Sequence, residues 1–361
     1  MRYHRIALLP GDGIGQDVIA EGVQTLNLLA SLAGDFRLET QSFDWSCEYY
    51  LQHGRMMPPE ALNTLREFDA IYFGAVGFPT VPDHVSLHGM LLPIRQEFDL
   101  YVNLRPIRLL PGLEGPLRGR TTADVNFVCV RENTEGEYAR SGGRIQVGTP
   151  QEVATQTAIF TRQGTERIIR YAFELARREG RHKVTSATKS NALQYSMVFW
   201  DEVYSAVAAE YPDITADKWH VDALAARFVT HPQTLDVVVS SNLFGDILTD
   251  LGGALQGSLG LPPSGNIHPV AETRRGPSLF EPVHGSAPDI AGKGIANPIG
   301  GIWSGQIMLE YLGEREAATQ LMRAIEAVTA AREVLTPDLG GRATTVEVGK
   351  AIRTALRKLY K

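Results

Sequence analysis

LLPGDGIGQDVIAEGV, residues 8–23, carries the decision between two kinds of α/β fold. It overlaps a short apolar run, HRIALL (4–9), that reads as a buried strand. From Ile14 the apolar side chains recur at Val18, Ile19, Val23, Leu26 and Leu29, a helical period. A second strand-like run, FRLETQSF (36–43), carries Glu39 where an ordinary dinucleotide fold keeps its ribose-binding carboxylate. The glycines argue the other way. Gly11, Gly13 and Gly15 are spaced G-x-G-x-G, one residue short of G-x-G-x-x-G, and Pro10 and Asp12 crowd the turn. A strand, glycine turn and helix also occur in α/β proteins that bind no nucleotide there.

Composition narrows the class. The 361 residues suffice for about two domains and a substantial core. A net charge of −6 argues against a nucleic-acid partner but not against a local basic cleft for an acidic substrate. Cys47 and Cys129 are the only cysteines and form no C-x-x-C, so neither a disulfide scaffold nor a zinc ribbon is expected. The first apolar run stops at Pro10, too short for a signal peptide, and no stretch approaches the ~18 apolar residues of a membrane span. A cytoplasmic protein without a membrane partner is the expectation.

Strand-like runs at 69–76, 124–132, 183–188 and 235–241 alternate with helical runs at 162–179, 191–210, 303–312, 316–333 and 345–360. That alternation predicts an α/β architecture. Two Pro/Gly-rich stretches, RPIRLLPGLEGPLRG (105–119) and GSLGLPPSGNIHP (257–269), read singly as surface loops. As a pair they look like the two crossings of an inserted domain with a cleft between. The expected division is 1–104 with 260–361 around an insert, 105–259.

The segment SNLFGDILTDLGGALQGSLGL (241–261) follows a strand at its carboxyl end, where open α/β sheets bind ligands. Asp246 and Asp250 stand i,i+4 on one helix face. Such a pair either solvates a helix terminus or shares a hard divalent cation, and the spacing alone does not separate the two.

This segment resembles the signature of the isocitrate/isopropylmalate dehydrogenase family. LLPGDGIG, FDLYVNLRP (98–106), VRENTEGEY (130–138), TKSNAL (188–193), HVDALAARFV (220–229) and EPVHGSAPDIAGKGIANP (281–298) are similar to its other blocks, in order. The resemblance implies a two-domain α/β fold with a mixed sheet, not a standard Rossmann fold. It also implies that the adenosine half of NAD lies on the loop at 284–297, with the 11–15 turn only bordering it.

Site residues follow by the same resemblance. Arg95, Arg105 and Arg131 would bind a small hydroxy-dicarboxylate, since guanidinium grips carboxylate bidentately. Asp246 and Asp250, joined by Asp222, would hold Mn²⁺ or Mg²⁺ against the substrate hydroxyl and carboxylate. Lys189 would take the hydroxyl proton, Tyr138 would serve the protonation that follows decarboxylation, and Asp222 would stand with them. Ile14, Asn191, Glu281, His284, Gly285, Ser286, Ala287, Asp289, Ile290 and Asn297 would contact NAD. Relatives using NADP carry lysine and tyrosine at the positions of Asp289 and Ile290, so NAD is expected. K⁺ is expected on the resemblance alone. A homodimer is implied, its sites shared between chains.

The wall before the first arginine, SLHGMLLPIRQ (86–96), holds His88, Leu91 and Leu92. Isocitrate enzymes carry a serine and an asparagine where Gly89 and Leu91 stand, and isopropylmalate enzymes a glutamate where His88 stands. The pattern is most similar to the members acting on D-malate and tartrate. An isopropylmalate dehydrogenase remains the alternative, and so does a non-catalytic subunit of a hetero-oligomeric dehydrogenase.

Overall fold

Unbroken apolar runs become the innermost strands. AIYFGA (70–75) and VVVS (237–240) are buried along their whole length, as strands covered on both faces must be. The computed structural model describes residues 1–361. Its strands are β1 (Arg2–Gly11), β2 (Phe36–Ser42), β3 (Ala70–Ala75), β4 (Val102–Arg108), β5 (Asn126–Glu132) and β6 (Gly136–Ile145). There follow β7 (Val153–Ile159), β8 (Lys183–Thr188), β9 (Thr215–His220), β10 (Val237–Ser240), β11 (Pro263–Ile267) and β12 (Ser278–Pro282). The helices are α1 (Ile14–Ala33), α2 (Cys47–His53), α3 (Ala61–Leu65), α4 (Asp83–Ser86), α5 (Leu92–Glu97) and α6 (Arg162–Arg178). The rest are α7 (Ser196–Ala208), α8 (Val221–Thr230), α9 (Asn242–Leu255), α10 (Ile299–Tyr311), α11 (Arg315–Ala331) and α12 (Thr345–Leu359). No helix is long and apolar enough to cross a membrane.

Ten strands form one mixed sheet in the order β2-β1-β3-β12-β11-β4-β5-β10-β8-β9. The four at one end run parallel, as do the four at the other. Between them β11 pairs antiparallel with both β12 and β4, and β4 pairs antiparallel with β5. The two parallel groups therefore point in opposite directions.

The two faces differ. On one, α1, α6, α7, α10, α11 and α12 close a single apolar core that spans both parallel groups, from Ile6 and Tyr72 to Trp200 and Val237. On the other, the apolar packing splits into two smaller cores. One lies under α2, α3 and α5, and the other under α8 and α9. Between those two cores, alternation along β12, β11, β4 and β5 delivers Glu281, Asn266, Ser264, Asn103, Arg105 and Arg131 to the same face, all buried. A polar floor lies where a third apolar core would otherwise form.

Both Pro/Gly-rich stretches differ from the loop reading. Residues 102–108 and 263–267 are neighbouring strands, with Gly265 opposite Leu104. Beyond them the stretches touch again, since a side chain on Gly257 would meet the Glu114 carbonyl. The helix expected from 191 begins at Ser196, because the chain turns after Lys189 and is exposed from 191 to 195. Strands β6 and β7 form a separate two-stranded ribbon, and β9 is likewise absent from the sequence reading.

The glycine turn stitches two loops together. Gly13 has φ 56°, and a Cβ there would lie 2.1 Å from the Ser286 carbonyl oxygen, which also accepts the Ile14 N–H at 2.9 Å. Gly13→Ala therefore combines a left-handed backbone with a backbone clash. We expect it to cost at least about 2 kcal/mol in chemical denaturation and to speed amide exchange across 284–287. Unchanged stability and exchange would remove the contact from the fold's essentials.

Candidate active site

The polar floor gathers the three arginines. Arg131, at the end of β5 and only 2% exposed, donates from Nε and Nη2 to Asn242 Oδ1 at 3.0 and 2.7 Å and ion-pairs with Asp246. Arg105 donates to Thr249 Oγ1 at 2.5 Å and lies 3.7 Å from Asp246 Oδ1. Arg95, on α5, donates to Glu281 Oε1 at 2.9 Å. Asp246 is thus the common anion of the group, and Tyr138 Oη donates to its other oxygen at 2.9 Å. The Nε atoms of Arg95 and Arg105 are buried without a partner, so donors are left over.

Burial and mutual repulsion set the charges. Burial pushes the Arg131 guanidinium down to about 10, with Arg105 and Arg95 adding to the fall and Asp246 opposing it. Arg131 still carries its charge at neutral pH. Partial burial alone would raise Asp246, but Arg131 and Arg105 hold its carboxyl below the ordinary range. Asp250, one helical turn on, is pushed up by partial desolvation and by Asp246. Tyr138 is also pushed up, first by burial and then by Asp246, so its hydroxyl keeps its proton at neutral pH.

Lys189 and Asp222 form a second group. Lys189 follows β8, Asp222 opens α8 after β9, and Nζ donates to Asp222 Oδ1 at 2.7 Å. That contact holds the Asp222 carboxyl down. Ser190 next door is anchored to Asp201 at 2.8 Å. With strands ~4.8 Å apart, Arg131 lies two strands, roughly 10 Å, from β8 and three, roughly 14 Å, from β9. Within one chain no three acidic, histidine or cysteine side chains gather as a metal cluster. The chain unites Asp246 and Asp250, and separately Lys189 and Asp222. Asn191 is exposed on the turn after Lys189, near Tyr195, which is 84% exposed.

The 284–297 loop is shaped by its backbone. Ala287 has φ 41°, uncommon for a residue with a side chain, and Gly285 faces open space. His284 is bonded through Nδ1 to the Gly285 carbonyl while Nε2 is buried with no partner, and burial pushes its pKa down, leaving it neutral. Ser286 is buried against the glycine turn, Asp289 is exposed and Ile290 is half-buried.

Several expected contacts are otherwise engaged. Ile14 sits in the large core and its N–H is spent on Ser286. Asn297 accepts from the Ile299 N–H at 3.0 Å and donates to Asp338 at 3.0 Å, which leaves one N–H and one carbonyl lone pair. Glu281 stands with Arg95 rather than on the loop. His88 and Leu91 lie on a π-helical turn, Leu87–Leu91, of the kind that accompanies functional sites. His88 is exposed, and its pKa is lowered by desolvation, then by Arg140 and His84. Leu91 is half-buried, whereas Leu92 is 1% exposed and presents no surface to a ligand. Sequence reasoning passed over Asn242, Thr249 and the amides Asn103, Asn133 and Asn266. The signal for Asn103 and Asn266 was a carboxamide within a strand.

Comparison with known proteins agrees with the block pattern. The family described as isocitrate/isopropylmalate dehydrogenase matches residues 5–352. D-malate dehydrogenase [decarboxylating] of Escherichia coli (strain K12) is 55% identical over 359 residues, covering 98% of each chain. Tartrate dehydrogenase/decarboxylase of Pseudomonas putida is 53% identical over 363 residues, also covering 98% of each. The crystal structure of isocitrate dehydrogenase from Methylococcus capsulatus superposes with a TM-score of 0.87 at 38% identity, over 98% of this chain and 99% of that one.

The Asp246 hub generates a pH test on metal-free protein. A carboxyl held below its unfolded value, about 3.9, stabilises the fold above that value and ceases to do so as pH falls through the folded value. Asp246→Asn should cost about 1–2 kcal/mol at neutral pH, less than a fully buried pair because the side chain is 39% exposed. The gap between wild type and variant should close as pH falls below about 4. Denaturation midpoints at pH 7 and pH 3 measure it. An equal gap at both would mean that the arginines do not read this charge.

Proposed function

The chain belongs to the isocitrate/isopropylmalate dehydrogenase family, and from that premise we propose that it oxidises D-malate and tartrate with NAD and a divalent cation. D-malate gives pyruvate and CO₂, and meso-tartrate is decarboxylated to glycerate. The names of the relatives above support the substrates. The observation that carries the reading is the floor of three buried arginines facing Asp246 and Asp250.

The charge count fits such a substrate. Three guanidinium groups pair with Glu281 and Asp246, and Asp250 stands one helical turn further on, so a dianion entering with a divalent cation leaves the balance unchanged. The unpartnered Nε donors of Arg95 and Arg105 suit carboxylate oxygens. Asp246 and Asp250 offer hard oxygen ligands, and Asp250 makes no ion pair of its own. Mn²⁺ or Mg²⁺ bound there, with Asp222, supplies Lewis-acid polarisation of the hydroxyl and its neighbouring carboxylate. NAD supplies the hydride acceptor. The orphaned His284 Nε2 and open Gly285 suit its adenosine half, while the Asp289 carboxylate disfavours a 2′-phosphate.

The protein's own groups then divide the work. Arg95, Arg105 and Arg131 orient the carboxylates. Lys189, in its uncharged amine form, accepts the hydroxyl proton at Nζ. Tyr138, protonated at neutral pH, delivers a proton from Oη to the carbon that CO₂ leaves. Leu91 and the small Gly89 line the third substituent's place with no carboxylate partner, as D-malate requires and isocitrate does not. Residues 1–104 and 260–361 form one domain and 105–259 the insert, the boundaries falling at β4 and ahead of β11. Two free, buried cysteines suit a reducing cytoplasm.

Assays with NAD and Mn²⁺ should show turnover of D-malate and (+)-tartrate well above that of 3-isopropylmalate. NADP should serve poorly, and chelation should abolish activity until Mn²⁺ or Mg²⁺ returns. Preference for 3-isopropylmalate would replace the substrate assignment, and activity surviving exhaustive chelation would remove the metal.

Two copies would complete the site. The ribbon exposes Ile145 (63%), Val153 and Ile159, and Ile247 and Tyr195 are exposed beside the two residue groups. Apolar surface so placed is suited to a second copy. In the homodimer, Lys189 and Asp222 of one protomer serve Asp246 and Asp250 of its partner. Inactive Lys189→Ala and Asp250→Asn chains should therefore complement. Random re-association makes half the dimers hybrid, each with one intact site of two, so about a quarter of wild-type activity returns. Hybrids that form and stay inactive would mean that each site belongs to one chain.

A further inference from the structure

A chain of buried amides runs across the polar floor to one of the arginines. Asn103 of β4 and Asn133, just past β5, both donate from Nδ2 to Asn266 Oδ1 at 3.0 Å. Asn266 Nδ2 donates to Glu281 Oε1 at 2.8 Å, and Arg95 Nη2 donates to the same oxygen at 2.9 Å. Asn103, Asn133 and Asn266 are fully buried, and Arg95 and Glu281 nearly so. The two incoming donors leave Asn266 one orientation, since a flipped amide would set its own N–H groups against theirs.

We propose that Asn266 is a positioning residue for Arg95, acting through Glu281. A carboxylate held by Arg95 alone forms a pair that can swing as a unit. A second donor on the same oxygen, fixed in turn by the amides of Asn103 and Asn133, removes that freedom. Arg95 is then held with Nε still unpartnered, ready for a substrate carboxylate before the substrate arrives. Asparagine suits this place better than its near neighbours. Aspartate keeps the acceptor for Asn103 and Asn133 but sets a second anion against Glu281. Serine is too short to reach it.

The role assigned to Arg95 rests on the proposed hydroxy-dicarboxylate reading; its placement does not. Asn266→Asp and Asn266→Ser should each raise KM for D-malate about tenfold, with kcat changed less than about threefold and KM for NAD unchanged. A merely structural lesion would lower Tm and active fraction without that split. The Asn266→Asp penalty should shrink in a Glu281→Gln background, where there is no second charge to repel. A crystal structure of Asn266→Ser should show Arg95 displaced or in several conformers. Unchanged KM in folded variants, or an unmoved Arg95, overturns the proposal. If wild type turns over no hydroxy-dicarboxylate, the functional reading fails, while the position of Arg95 in the variant still decides this one.

Discussion

Four central strands carry apolar side chains to one face of the sheet and arginine, asparagine and glutamate to the other. Along β4, Val102 and Leu104 join the large core while Asn103 and Arg105 face the opposite side. Along β5, Val128 and Val130 do the same against Arg131. Strand periodicity enforces this, since a one-residue slip in register would exchange the two faces. The rest of the structure follows from it. The large core welds both parallel groups together from one side. The polar strip on the other keeps α5 and α9 from closing over a dry interface, and so leaves room for a charged site.

What the sequence disclosed follows the same physics. Strands β3, β5, β8 and β10 stood out because burial on both faces, or one alternating apolar face, gives a long apolar signal. Helix α9 stood out through the spacing of Asp246 and Asp250. Strands β4 and β11 escaped because Pro106, Arg105, Pro263 and Asn266 interrupt their apolar pattern. Those interruptions are the residues that build the floor or flank it. The outer ribbon escaped because β6 beyond Ser141 and the whole of β7 are exposed in this chain. Most proposed site residues were legible only as blocks in order. Arginines, a tyrosine and aspartates far apart in sequence carry no signal that they converge. Ile14, Leu92 and Asn297 differ from the other expected contacts in that their side chains are buried or hydrogen-bonded within the chain.

Reversal of strand direction at β11 and β4 has an electrostatic consequence. Strands β5, β10, β8 and β9 present their carboxyl ends along one edge, which sets Arg131, the start of α9, Lys189 and Asp222 in a row. In such a row the spacing between strands governs which side chains meet. Arg131 and Asp246 come from adjacent strands and form an ion pair. Lys189 and Asp222 likewise follow adjacent strands, β8 and β9, and pair with each other. The sheet itself thus holds the Lys189–Asp222 pair apart from Asp246 and Asp250 within one chain.

The glycine turn shows why the usual dinucleotide fingerprint is absent from a fold with the same opening elements. In the ordinary arrangement the first N–H groups of the helix after β1 are free to bind pyrophosphate. Here the Ile14 N–H is taken by the Ser286 carbonyl and the Gly15 N–H by the Asp12 carbonyl. The Asp12 carboxylate, buried in the same turn, accepts N–H bonds from Cys47 and Gly77 and adds negative charge to that turn. With its helix terminus satisfied from within, the turn becomes a clamp on the 284–287 loop. The close approach of Gly13 and Gly77 to Ser286 fixes that loop's backbone, including the left-handed Ala287. The spacing of the three glycines therefore encodes contact between two loops.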